Sequence, residues 1–134
     1  MIEEFTKAWF AKKDALEAVF KTRHPDDYKE IVKLVVEHIL YDEDVYSSPD
    51  VDRVHSIDDG HYQGTLVFVI GASGYQPDDY WYVKISYGSC SGCDTLQRIQ
   101  GYSDDAPSDA QVRDYMTLAL HIVQGLRKME EKQL

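Results

Sequence analysis

Cys90 and Cys93 are the only cysteines in the chain. They stand in a run of small residues, Tyr87-Gly88-Ser89-Cys90-Ser91-Gly92-Cys93-Asp94. Two intervening residues, one of them glycine, let the thiols approach each other, and that spacing admits several chemistries. In a redox reading, Cys90 follows a strand and precedes a helix start, where the helix dipole and free N–H groups lower a thiol's pKa. The chain shows no βαβ context of the thioredoxin kind. In a metal reading, two thiolates need two more ligands to complete a tetrahedral zinc site. His55 and His61, which flank the first predicted hairpin, are the candidates, and a second copy's cysteine pair is the alternative source. In an anion reading, the Gly/Ser backbone forms a nest of N–H groups, with Asp94 opposing a bound anion. In the plainest reading, the cysteines are small apolar fillers of a tight loop.

No other motif competes with this loop. A Ser-His-Asp ordering, a P-loop, His-Glu-x-x-His and GxGxxG are all absent. His24 and His38 fall on predicted helices, and His121 lies beside an apolar stripe; all three read as packing or surface residues. Tyr75, Tyr80 and Tyr82 make either an exposed aromatic patch of the kind that marks interfaces or a cover for an open sheet face.

The loop is positioned by a strand over residues 80–87. Trp81, Val83, Ile85 and Tyr87 alternate with Tyr80, Tyr82, Lys84 and Ser86, the period of a half-buried strand. After the loop, Thr95 to Gln100 reads as one or two helical turns, with Asp94 and Gln97 spaced as a capping box and Gly101 as the stop.

The rest of the chain supplies the scaffold. Ile2 to Lys21 carries Phe5, Ala8, Trp9, Leu16, Val19 and Phe20 at helical steps, and His24-Pro25 ends it. A second helix follows, capped by Asp26 or Asp27, and its apolar positions (Tyr28, Ile31, Val32, Leu34, Val35, Val36, Ile39, Leu40) predict cover on more than one side. Val51 to Ile57 predicts an edge strand, Asp58-Asp59-Gly60 a hairpin turn, and Tyr62 to Gly71 a central strand covered on both faces, because Leu66 to Ile70 is apolar without interruption. Ser108 and Gln111 form a capping box for a last helix whose stripe runs from Val112 to Met129. The order α-α-β-β-β-(short helix)-α predicts a single α+β domain over residues 1–134: a three-stranded antiparallel meander covered by helices. The second helix, three strands and last helix share the order of double-stranded-RNA-binding domains. Those domains hold phosphates with basic residues that this chain lacks at the matching places.

Charge narrows the function. The 134 residues carry a formal net charge of −10, which argues against direct nucleic-acid or anionic-membrane binding and favours a basic partner. The acidity is local: between Tyr41 and Gly60 seven acids (Asp42, Glu43, Asp44, Asp50, Asp52, Asp58, Asp59) face one base, Arg53. Either this is a solvated pair of loops or it is a partner surface. No apolar run approaches the roughly 18 residues of a membrane span. Met1-Ile2-Glu3-Glu4 is not the basic start of a signal peptide, and two cysteines are too few for a disulfide framework, so a cytoplasmic protein with reduced thiols is expected.

The string Tyr-Gly-Ser-Cys-Ser-Gly-Cys-Asp at 87–94, following an aromatic strand, resembles a motif in small proteins of bacteriophages and related bacterial mobile elements. The likeness covers roughly Tyr80 to Gln97. The family carries no assigned activity, so the resemblance implies origin rather than mechanism. A phage origin for a compact acidic domain implies a non-enzymatic protein that binds and blocks a host protein in the host cytosol, as anti-CRISPR proteins do. The candidate binding set is then Asp42, Glu43, Asp44, Asp58, Asp59, Tyr75, Tyr80 and Tyr82. The alternative is a zinc- or thiol-dependent protein built on Cys90, Cys93, His55 and His61.

Overall fold

The structure is a computed structural model that describes residues 2–44, 48–60, 64–73, 79–87, 95–101 and 105–128. Helix α1 runs Ile2–Thr22 and α2 runs Tyr28–Val35, continuing as a π-helical turn Val36–Leu40. Strands β1 (Pro49–Gly60), β2 (Gly64–Ala72) and β3 (Tyr80–Tyr87) come next, then the short α3 (Thr95–Gln100), α4 (Asp109–Gly125) and a two-residue β4 (Arg127–Lys128). The sheet is antiparallel throughout, in the order β1-β2-β3-β4. The fold is therefore α+β with a sheet of four strands, not three.

The fourth strand arises from how α4 stops. Apolar spacing alone carries the helix to Met129, but the helix ends at Gly125 and Leu126 is already extended, with ψ 137°. Glycine near a helix end is a poor reason to continue. Beyond it, Lys128 and Arg127 pair with Trp81 and Tyr82 on the free edge of β3. Lys128 Nζ also reaches Asp79 Oδ1 at 3.1 Å.

Local signals set the helix starts as predicted. Asp27 caps α2, its carboxylate accepting from Glu30 N at 2.8 Å. Ser108 and Gln111 form the reciprocal capping box of α4. Gly101 ends α3 at φ 63°, a conformation that costs other residues a clash with their own Cβ. Asp94 and the side chain of Gln97 lie outside the described residues.

The core lies between one sheet face and the helices. Val54 of β1, Phe68, Ile70 and Ala72 of β2, and Trp81, Val83 and Ile85 of β3 are buried against it. On the helix side, Leu16 and Phe20 of α1, Ile31, Val32 and Val35 of α2, and Tyr115, Ala119 and Val123 of α4 are also buried. The π turn brings Val36, Ile39 and Leu40 inward together, so α2 is covered on more than one side, as its apolar positions require. Phe5 packs edge-on against Trp81 at 6.2 Å, which ties α1 to the sheet.

Two expectations about β1 and β2 need correction. The ladder continues through Asp58, Asp59 and Gly60 to Gly60↔Gly64, so the Asp-Gly dipeptide ends a 12-residue strand instead of turning the chain. Strand β2 is interior to the sheet, but the described helices cover only one of its faces. Phe68 and Ile70 are buried, while Val67 and Val69, on the other face, remain half-buried. The uninterrupted apolar run reflects cross-strand neighbours on the open face, not a second layer of helices. No described helix is long and apolar enough to cross a membrane.

Candidate functional site

The acidic residues divide between the two ends of β1. Asp42, Glu43 and Asp44 come directly after the π turn. Ser48 fixes their place: its buried hydroxyl accepts from Asp42 N at 2.8 Å and donates to Leu40 O at 3.3 Å. The Ser48 carbonyl accepts from Ser73 N at 2.7 Å, which anchors the same point to the end of β2. Two short-range bonds then aim the carboxylates, Asp44 N donating to Asp42 Oδ1 at 3.0 Å and Asp52 N to Asp50 Oδ1 at 2.9 Å. Asp42, Glu43, Asp44, Asp50 and Asp52 therefore share one end of the molecule. Among the described residues, cations beside them include Lys12, whose Nζ donates to Tyr41 O at 3.2 Å, and Arg53, 3.7 Å from Asp50. Glu43, Asp44 and Asp52 are exposed.

Asp58 belongs to the opposite end. It pairs with Leu66 and stands nine positions along the strand from Pro49, roughly 30 Å of extended chain. Asp59 is next in the ladder, opposite Thr65. The structure therefore does not bring Asp58 and Asp59 together with Asp42 to Asp44.

The tyrosines divide too. Tyr80 and Tyr82 stand half-buried on the open sheet face, opposite Gly71 and Val69. Tyr80 sits at the acidic end, where Ala72 N donates to Asp79 O at 3.0 Å and Ala72 pairs with Pro49. Its ring lies over Gly71: a Cβ there would fall 3.4 Å from Tyr80 Cε1 and 3.2 Å from Arg53 Cβ. Tyr75 lies outside the described residues.

For the metal and thiol chemistry, Cys90, Cys93 and His61 also lie outside the described residues. His55 is exposed on the open face of β1, opposite Val69. Among the described residues no three His, Cys, Asp or Glu side chains converge to hold a metal ion. Helix α3, on the C-terminal side of the cysteine loop, is tied down on three sides. Leu96 N donates to Tyr28 Oη at 3.0 Å, Gln100 Nε2 to Pro25 O at 2.5 Å, and Gln111 Nε2 to Ile99 O at 2.9 Å. The Leu96 amide, in the first turn of α3, is taken up by Tyr28; the Gly/Ser amides of the anion reading lie outside the described residues.

Sequence reasoning missed Ser48, Arg53 and the pair His24–Tyr115. Ser48 was visible only as part of Ser47-Ser48-Pro49, a loop signal. His24 Nδ1 lies 2.5 Å from Tyr115 Oη, and its Nε2 lies 3.1 Å from Asp105 O, a contact across most of the chain that spacing cannot announce. His121 is exposed and His38 half-buried. An open groove of about 290 Å³ between α1 and α4, floored by Trp9, Val112, Met116 and Leu120, contains none of the candidate residues.

Comparison with known proteins found no family model, curated protein or solved structure that this chain matches.

Proposed function

We propose that the chain is a non-catalytic binding protein that recognises a basic protein surface through the carboxylates where α2 gives way to β1. The observation that carries this reading is the Ser48 clamp. It anchors the backbone at Asp42, and short bonds hold the Asp42 and Asp50 carboxylates, with Glu43, Asp44 and Asp52 exposed beside them. Preset carboxylates lose little freedom on meeting a cationic partner, and their field steers the encounter. Tyr80, at the same end, adds an amphipathic ring of the kind enriched at interfaces.

The specific form of the proposal is a phage-encoded protein that blocks a host defence protein in the cytosol, as an anti-CRISPR does. It rests on the likeness of the 87–94 loop to phage proteins together with the acidic end. The test is phage plating on a CRISPR-immune host that expresses the chain. Plaque formation is expected to rise with the wild-type chain. It should fall back to the immune level when Asp42, Glu43 and Asp44 are all reversed to lysine, and it should persist with Asp58→Lys. No rise with the wild-type chain, or an equal rise with the triple reversal, would contradict the proposal.

A further inference from the structure

On the face of the sheet turned away from the helices, the rows from Arg53 to Ile57 are apolar along their middle and basic at their sides. The register places Ile57, Val67 and Lys84 in one row and His55, Val69, Tyr82 and Arg127 in the next. Arg53, Gly71 and Tyr80 complete a third. Ile57 is 58% exposed. Val67, Val69, Tyr80 and Tyr82 are half-buried, and His55, Lys84 and Arg127 are exposed. In a chain of net charge −10, the described charged and imidazole side chains in these rows are all basic. Arg127 Nη1 donates to the carbonyls of Gln124 and Leu126, which fixes the guanidinium without cancelling its charge. Arg53 donates to Ala72 O and lies 3.7 Å from Asp50, so its charge is partly matched at that corner.

We propose that this face is a docking surface for an amphipathic helix of another protein, one whose apolar stripe is flanked by carboxylates. The dimensions fit. From β1 to β3 is two strand spacings, about 10 Å, which matches the roughly 10 Å diameter of a helix with its side chains. The opposite sheet face is already covered by helices, so helix-on-sheet packing is the architecture this sheet accepts. Charge chooses the helix: Lys84 and Arg127 on one side and His55 and Arg53 on the other meet carboxylates and repel lysines. The same basic residues beside two tyrosines raise the question of single-stranded nucleic acid. The middle of the face answers against it, because Ile57, Val67 and Val69 offer no ring to stack on, and the acidic remainder of the chain repels a polyanion. This surface meets the acidic end at Tyr80 and Arg53, but its other residues and its charge are different, and it does not depend on recognition through that end.

The test titrates the full chain with a synthetic amphipathic peptide of about 16 residues, long enough to span the three rows as a helix. Leucines form its stripe and glutamates flank it. A twin peptide carries lysines at the flanking positions, and a short oligothymidine is the third probe. Calorimetry gives the affinities and amide chemical shifts give the footprint. The glutamate-flanked peptide is expected to bind about fivefold or more tightly than its lysine twin. The shifts should fall on His55, Ile57, Val67, Val69 and Tyr82. Lys84→Glu changes an exposed side chain with no hydrogen bond among the described residues, and it should narrow or reverse that preference. Ile57→Ser should weaken both peptides. Failure of the glutamate-flanked peptide to bind, equal binding of the two peptides, or a footprint on the helices would overturn the proposal. Tighter binding of oligothymidine than of either peptide would overturn it in favour of a single-strand platform.

Discussion

His24 shows how much of this molecule depends on single side chains. A carbonyl can only accept, so Nε2 must carry the proton that it donates to Asp105 O, and in the neutral ring Nδ1 then accepts from the Tyr115 hydroxyl. The pair joins the end of α1 to α4 and to the segment before it, with the Phe20 ring packed at a tilt against Tyr115 at 5.3 Å. Tyr115→Phe removes the hydroxyl and leaves Nδ1 without that donor, a loss expected to cost about 1–2 kcal/mol in urea unfolding. Burial pushes the Tyr115 phenol up to about 12 from its ordinary 10. The unfolded chain releases this proton first, so the stability it contributes is complete below about pH 10 and is lost as pH rises through 12. Ultraviolet titration should show a late-ionising tyrosine step that vanishes in Tyr115→Phe. At Cys90 and Cys93 the expected behaviour is slow reaction with a thiol reagent, with or without chelator, as for cysteines that fill a tight loop. Fast reaction that requires chelator would reveal a bound metal, with zinc the expected ion and His55 and His61 the next residues to substitute.

At the scale of elements, Phe68 tests the sheet. It is 1% exposed in the interior strand and points to the helices. Phe68→Ala is expected to cost about 3–5 kcal/mol, and a loss under about 1 kcal/mol in urea unfolding would contradict its place in the core. The features legible in the sequence were those decided within a few residues. Asp27 and Ser108 announce their helices because a cap bonds an amide two or three positions on. The alternation from Tyr80 to Ser86 announces β3 because side chains change face at every step. The features that were not legible are decided by distant chain. Strand β4 exists because the edge of β3 at Trp81 and Tyr82 lay open to Arg127 and Lys128, and two residues carry no period. The run Leu66 to Ile70 could not reveal that only one face is covered, since half-buried and buried valines look alike in sequence. Most of the candidate chemistry was visible as residue types, but not its grouping: Asp44 and Asp58 belong to one acidic stretch and stand at opposite ends of one strand.

The whole molecule separates its charge. Carboxylates gather where Ser48 pins the start of β1, while Arg53, His55, Lys84 and Arg127 line the open sheet face. A net charge of −10 is then less informative than its arrangement, because a partner within a Debye length meets one end or one face and not the sum. If the acidic end recognises a basic host protein, the field of Asp42, Glu43 and Asp44 should set the rate of encounter. The most direct measurement is the association rate of the full chain with the defence protein of the CRISPR-immune host used in the plating test, followed as salt is raised. For the wild-type chain and for Asp58→Lys the rate is expected to fall steeply, roughly tenfold or more from low to high salt. In the triple reversal of Asp42, Glu43 and Asp44 to lysine it should be slow at every salt concentration. A rate that ignores salt, or one that the triple reversal leaves unchanged, would contradict recognition through the acidic end.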